Sequence, residues 1–172
     1  IGYDHMNLLG NSLEKIAFEK AGIIKENTPV IIGKKQQEID HVFKKQANKK
    51  NALLIYAKRF DNQFSKEIPN YQKENINTVI SAIDVLNWNI NNEEINSGIK
   101  NVKINTGLRG RWEVLSTKPK IVCDTGHNID GINQRVNHLK KINYNKLHFV
   151  FGTVNDKKLD SILNILPKDG VY

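Results

Sequence analysis

The sequence predicts an α/β fold, and three observations carry that expectation. Short apolar runs, "TPVIIG" and "ALLIYA", flank the amphipathic stretch "EIDHVFKKQANKK". Past a glycine-punctuated segment, "NTGLRGRWEVL", a second alternation begins: "KIVCDTG", "IDGINQRVNHLKKI", "LHFVFG", "KKLDSILNIL". The loops between these pieces are short, and strand–helix–strand–helix with short loops is the pattern of a parallel, doubly wound sheet.

Taken in order, "GNSLEKIAFEKAGII" opens with Asn11 as a candidate N-cap and Glu14 three residues later, a capping-box spacing. Leu13, Ile16, Ala17 and Lys20 then fall on one helical face, and Gly22 is a helix stop. "TPVIIG" is a short buried strand. The helix after it turns Ile39, Val42, Phe43 and Ala47 inward, and "ALLIYA" is the next strand. Lys58 to Asn70 is polar and irregular. "KENINTVISAIDVLNW" is a strong helix with Ile76, Val79, Ile80, Ile83 and Leu86 on one stripe, and a short helix spans Glu93 to Lys100. The glycines between Asn105 and Gly110 mark a boundary between residues 1–104 and 105–172. Beyond it, Ile132, Val136 and Leu139 face inward on a helix, and the closing "GVY" reads as the opening of another strand.

Composition narrows the function classes. The 172 residues are 39% hydrophobic and 26% charged, as in a globular chain, with no apolar run long enough to span a bilayer. The start carries no signal-peptide pattern, and the absence of an initial methionine reads as a piece of something longer. The one cysteine, Cys123, excludes an internal disulfide and fits a cytoplasmic setting; it reads as a small core residue rather than a nucleophile. The net charge of +8 raises a nucleic-acid-binding module as a rival. Only four of the 26 basic residues are arginine (Arg59, Arg109, Arg111 and Arg135), and the lysines are scattered, which favours a solvated surface. There is no GxxxxGK[ST] loop, GxGxxG fingerprint or CxxC pair.

Four stretches concentrate polar residues where such folds place ligands. In "GYDHMNLLG", the pair Asp4–His5 could bind a metal or orient a base, or serve a structural role in a loop. Lys20, inside "FEKAGII", sits where an apolar residue is expected. It can snorkel or pair with Glu19 or Glu14. Alternatively, a desolvated amine with lowered pKa can add carbon dioxide and become an anionic carbamate able to hold magnesium. In "GLRGRWEVL", Arg111 could clamp a phosphate through a forked pair of hydrogen bonds, or lie in an ordinary turn. In "CDTGHN", Asp124, His127 and Asn128 follow the strand "KIVC".

Together and in order, "DHMNLLGNSLEKIAFEKAGIIK", "YQKENINTVISAI", "GRWEVL", "DTGHN" and "FGTVNDKK" resemble the folylpolyglutamate synthase and dihydrofolate synthase family, relatives of the Mur peptide ligases. The resemblance implies a fold: the second half of a P-loop-type Mur ligase central ATPase domain (1–104), then the first part of a Rossmann-like C-terminal domain (105–172). It also implies a reaction. ATP phosphorylates a carboxylate of folate or dihydropteroate, and the amine of L-glutamate displaces phosphate to form an amide. ATP and Mg2+ are the expected cofactors. The expected protein is cytoplasmic and monomeric, with small-molecule substrates and neither nucleic acid nor membrane as partner. The implied metal residues are His5 and Lys20, the latter as a carbamate beside the γ-phosphate. The implied nucleotide residues are Asn75 near the adenine, Arg111 at the phosphates, and Asp124 with His127 and Asn128 in one loop. Two positions depart from the family pattern: Arg109 stands where proline is common before Gly-Arg, and Thr125–Gly126 where Gly-Ala is common. The resemblance also implies that the phosphate loop lies ahead of Ile1, so that this portion alone should be inactive. Another Mur-type amide ligase, acting on a cell-wall precursor, is the rival enzyme reading.

Overall fold

The structure, a computed structural model, describes residues 1–60, 68–152 and 159–172. The polar stretch after Lys58 and the end of "FGTVNDKK" therefore lie partly outside the described residues.

The first half begins with a four-residue helix, α1 (Met6–Leu9), which the sequence does not announce, followed by α2 (Leu13–Ala21). The N-cap of α2 is Ser12, whose side chain accepts from the Lys15 N–H at 3.2 Å; this corrects the expected Asn11 cap by one residue. Ser satisfies an orphan helix donor as well as Asn does, so a run of both does not fix the boundary. Strand β1 (Val30–Ile32), helix α3 (Asp40–Lys49) and strand β2 (Leu54–Tyr56) form a βαβ unit, with β1 and β2 parallel in the register Ile31↔Ile55. Ala17, Ala21, Ile24, Ile39, Val42, Ala47 and Ala52 make the first core. A fully buried aliphatic side chain such as Ile39 contributes about 1.5–3 kcal/mol.

Helix α4 (Asn70–Leu86) follows, then α5 (Asn92–Lys100) and α6 (Val102–Thr106). A full capping box opens α5: Asn91 accepts from the Glu94 N–H, and Glu94 from the Asn91 N–H, each at 2.9 Å. The expected inward stripe of α4 is only partly covered, with Val79 and Leu86 half exposed and Ser81 its one buried residue. Most of that stripe faces a cavity instead.

After Gly107, in a left-handed conformation at φ 69°, the chain enters β3 (Glu113–Thr117), β4 (Lys120–Cys123), α7 (Ile129–Leu139) and α8 (Leu159–Leu163). The pairing here differs from the parallel sheet expected. β3 and β4 form an antiparallel hairpin, Glu113↔Cys123 to Thr117↔Lys120, because two residues are too few for a parallel crossover. "LHFVFG" and "GVY" meet in a single parallel bridge, His148↔Val171. Ile132, Val136, Ile162 and Leu166 form the second core. Within α7, His138 is buried with Ile132 and Val136, while the expected Leu139 is only half-buried. The ring of Trp112 packs edge-on against His138, 4.6 Å between centroids. Cys123 is exposed on the hairpin, which corrects its reading as a core residue: alternation along β4 turns Val122, not Cys123, inward.

Candidate functional site

The site assembles where the loop before α1, the start of α4, the turn before β3 and the loop after β4 meet. Asp124 stands at its centre. Its Oδ2 accepts from the Trp112 N–H at 2.8 Å and from the Tyr71 hydroxyl, and its Oδ1 accepts from the Gly126 N–H at 2.8 Å and from Arg135 Nε at 2.6 Å. The Arg135 guanidinium also lies 4.3 Å over the Tyr71 ring. Burial and the neighbouring carboxylate push the Tyr71 phenol well above its ordinary value, so it stays a donor at neutral pH. Asp124, expected to contact nucleotide, is thus also the tie between α4 and the second half of the chain.

The turn before β3 is held by Glu113, which is 9% exposed. Its carboxylate pairs with Lys103 at 2.6 Å and Arg109 at 3.0 Å, and accepts from the Gly110 N–H at 2.9 Å. The Lys103 ammonium, first, and the Gly110 N–H together hold this carboxyl down at about 2. Arg109, where the resemblance leads one to expect proline, therefore has a structural partner on β3. Gly110 (φ 69°) and Trp112 (φ 53°) are both left-handed, so the chain twists sharply around Arg111. The Arg111 guanidinium donates to the Thr125 hydroxyl, and its carbonyl accepts from Gln72 Nε2 at 3.1 Å.

Asn128 caps α7, its Oδ1 accepting from the Gly131 N–H at 2.7 Å, while its Nδ2 donates to Asp4 Oδ2 at 2.9 Å. The same Asp4 oxygen lies 3.6 Å from His127 Nε2 and 3.7 Å from His5 Nε2. His5 itself is left-handed, φ 50°, as the residue capping α1. Asp4, His5, His127 and Asn128, expected from two distant stretches of sequence, are in this way one cluster. Asn75 and Arg111 share a different feature: both line a cavity of about 690 Å³ between α4, α5, α6 and residues 108–114. Ile76, Val79 and Ile83 supply much of its apolar wall.

Lys20 departs from its expected environment. It is exposed, because α2 buries Ile16, Ala17 and Ala21 and leaves Lys20 at the rim of that stripe with its head in water. The desolvation premise is not met among the described residues. Nor does Glu14 serve as its partner, since Glu14 pairs with His41 at 3.1 Å.

Sequence reasoning missed Tyr71, Trp112 and Arg135. For Arg135 a signal existed: in a chain that uses lysine almost everywhere, an arginine marks a place needing a planar, forked donor. Arg109, Arg111 and Arg135 all lie in this region.

No family model matches the chain. Among curated relatives, the dihydrofolate synthase/folylpolyglutamate synthase of Bacillus subtilis is 29% identical over 96% of this chain and 44% of its own length. The Haemophilus influenzae protein of the same name is 26% identical over 96% and 45%, and the Lacticaseibacillus casei folylpolyglutamate synthase is 27% identical over 91% and 42%. The chain spans about half the length of the curated relatives it matches. Among solved structures, E. coli FolC in complex with DHPP and ADP superposes with a TM-score of 0.80 at 24% identity, over 99% of this chain and 44% of that one. The apo form of L. casei FPGS gives 0.74 at 22% identity, over 100% and 47%. The resemblance drawn from the motifs holds along nearly the whole chain, and the fold is the mixed α/β, Mur-ligase-like fold of these proteins.

Proposed function

We propose that this chain is part of an ATP-dependent ligase that joins L-glutamate to folate or dihydropteroate through an acyl phosphate. The observation that carries the reading is the meeting of "DH" before α1 with "DTGHN" after β4, through the Asn128–Asp4 hydrogen bond at 2.9 Å. That contact brings together two of the stretches to which the resemblance gives metal and nucleotide roles, while Asn75 and Arg111 line the cavity beside α4 and Lys20 lies apart from both. The names of the relatives support the reading, as do the ADP and AMPPCP complexes of structural neighbours, one of which also holds folate.

In this reading Asn75 and the cavity beside it take the adenine end of ATP, a volume within the ordinary range for ligand sites. Arg111 reaches the phosphates once its bond to Thr125 is exchanged for a charge-assisted one. The Asp124 network holds the loop from Thr125 to Asn128 in place. The donor set also fits magnesium in the way nucleotide enzymes use it: Asp4 gives one carboxylate and His5 an imidazole, with the remaining ligands left to phosphate oxygens and water. Bound there, magnesium would offset charge between γ-phosphate and the substrate carboxylate. Lys20, exposed here, would carry the carbamate that the resemblance places near a second magnesium and the γ-phosphate only once the rest of the full-length site buries it. The boundary near residues 105–110, a cytoplasmic location and a monomeric state belong to the same proposal.

Phosphate release by the full-length parent tests it. Release should require ATP, the folate-type carboxylate and glutamate together, because an acyl phosphate forms only on the carboxylate. Equal release with the carboxylate omitted would exclude a ligase of this kind. Release driven by a cell-wall precursor instead would point to another Mur-type amide ligase.

A further inference from the structure

We propose that Gln72 is a specificity-determining residue. It sets which way the Asn75 side-chain amide points, and thereby selects a nucleotide whose purine carries a 6-amino group over one with a 6-oxo group. This role rests on the ligase reading above, in which Asn75 meets the base of the nucleotide.

A single backbone peptide fixes the orientation at its source. The peptide joining Arg111 to Trp112 donates its N–H to Asp124 Oδ2 at 2.8 Å. In a trans peptide the carbonyl points the opposite way, and here it accepts from Gln72 Nε2 at 3.1 Å. Asp124 does not yield, since its side chain is 9% exposed and its other oxygen is held by Arg135 and the Gly126 N–H. A carbonyl oxygen only accepts, so Gln72 must present its NH2 to the turn and its Oε1 to the other side.

That Oε1 lies 3.4 Å from Asn75 Nδ2, three residues along α4 on the same helical face. By the same rule Asn75 turns its NH2 to Gln72. Its Oδ1 is left for the cavity that both residues line, beside the second hydrogen of that NH2. The cavity is therefore offered an acceptor next to a donor.

Adenine complements this pair with its 6-amino donor and a ring-nitrogen acceptor, the match by which asparagine reads adenine in nucleic acids. A 6-oxo purine puts an acceptor where adenine has the donor. Asn75 meets it only by exchanging its oxygen and nitrogen, which sets its Oδ1 against Gln72 Oε1. Two acceptors then face each other with no proton between them, and relief requires Gln72 to give up the Arg111 carbonyl. Discrimination thus comes from a repulsive arrangement as well as an attractive one.

Calorimetry of ATP and of inosine triphosphate binding to the full-length parent tests the role. The two nucleotides share sugar and phosphates and differ at the base, where a 6-oxo group replaces the 6-amino group. The parent should favour ATP by roughly five- to a hundredfold, the worth of one good bidentate base contact. Gln72→Leu frees the Asn75 amide to rotate, so this ratio should fall at least about fivefold, largely through a gain for the inosine nucleotide. Gln72→Glu keeps an acceptor beside Asn75 and should keep the preference, an outcome that a merely structural role for the side chain does not give. Nucleotide binding with an unchanged ratio in Gln72→Leu, or a preference lost equally in both variants, would overturn the role of Gln72 and leave the ligase reading standing. Binding of neither nucleotide by the parent would instead remove the ligase reading, and this role with it.

Discussion

The Tyr71 hydroxyl donates to Asp124 Oδ2 across 53 residues of sequence, and Arg135 covers the Tyr71 ring while donating to the other Asp124 oxygen. One carboxylate thus receives the first turn of α4, the turn before β3 and α7 together. Replacing Tyr71 by Phe removes the single donor that comes from α4 and keeps the ring under Arg135. A hydrogen bond to a charged group contributes about 1.5–3 kcal/mol, so Tyr71→Phe should lower unfolding stability by that order. Urea unfolding of both proteins measures it. A change below about 0.3 kcal/mol would mean the α4 contact carries no stability.

Arg135→Lys tests the planar role of the same network. Lysine keeps the charge but not the stacked guanidinium or the fork that reaches both Asp124 and the Gly131 carbonyl. In a double-mutant cycle with Tyr71→Phe, contacting residues show coupling of about 0.5–3 kcal/mol. Additive effects would separate the two residues energetically.

Glu113 gives a pH signature. Its folded carboxyl is held at about 2, below the ordinary 4.5, chiefly by Lys103 and then by the Gly110 N–H. A depressed carboxyl stabilises the fold fully above the unfolded value and loses that contribution as pH falls through the folded one. Acid should therefore weaken the protein progressively between about 4.5 and about 2. Glu113→Gln should flatten that limb of the stability profile and leave Lys103 and Arg109 without their shared anion. An unchanged acid limb in the variant would place the loss elsewhere.

Gly110 is a backbone requirement. Its φ of 69° disfavours any L side chain, and a methyl there would run into the Thr125 side chain. Gly110→Ala should cost of order 1–3 kcal/mol, from the left-handed backbone and from displacement of the loop after β4. Thermal unfolding reads the cost. A change within about 0.5 kcal/mol would show that the turn adapts.

These residues also show what the sequence could and could not reveal. The βαβ unit was legible because two short apolar runs flank an amphipathic stretch whose Val42 and Ala47 are buried against the core. The meeting of Asp4 with Asn128 was not, since periodicity is local and this contact spans 124 residues. The motif resemblance gave roles to His5 and to the loop from Asp124 to Asn128 but did not predict this contact. The antiparallel β3–β4 hairpin had a sign in the sequence, the two residues between "EVLST" and "KIVC", but it was passed over because "KIVC" also fits the start of a strand–helix alternation. Tyr71 was invisible for another reason: it lies at the start of α4, outside the apolar stripe that defines the helix, and its value comes from a partner on another element. The Lys20 environment was misjudged because a helical wheel places a residue on a face but not on which side of that face's rim.

Lys20 supplies the last test, and its exposure sharpens it. Removing an exposed side chain with no buried partner changes stability by no more than about 0.5 kcal/mol, so Lys20→Ala should leave the chain as stable as the parent sequence. If Lys20 nevertheless works as a carbamate in a full-length ligase of the proposed kind, the same change should abolish most of the chemical step while nucleotide still binds. Fluorescence titration with an ATP analogue and single-turnover amide formation separate the two. A carbamate needs a neutral amine, so burial of Lys20 by the rest of the site is a required part of that role. Partial rescue of Lys20→Ala by a small added carboxylate would follow, because the missing function is a pair of oxygens rather than a positive charge. Full activity in Lys20→Ala, or rescue by amines instead of carboxylates, would return Lys20 to an ordinary solvated lysine at the rim of α2.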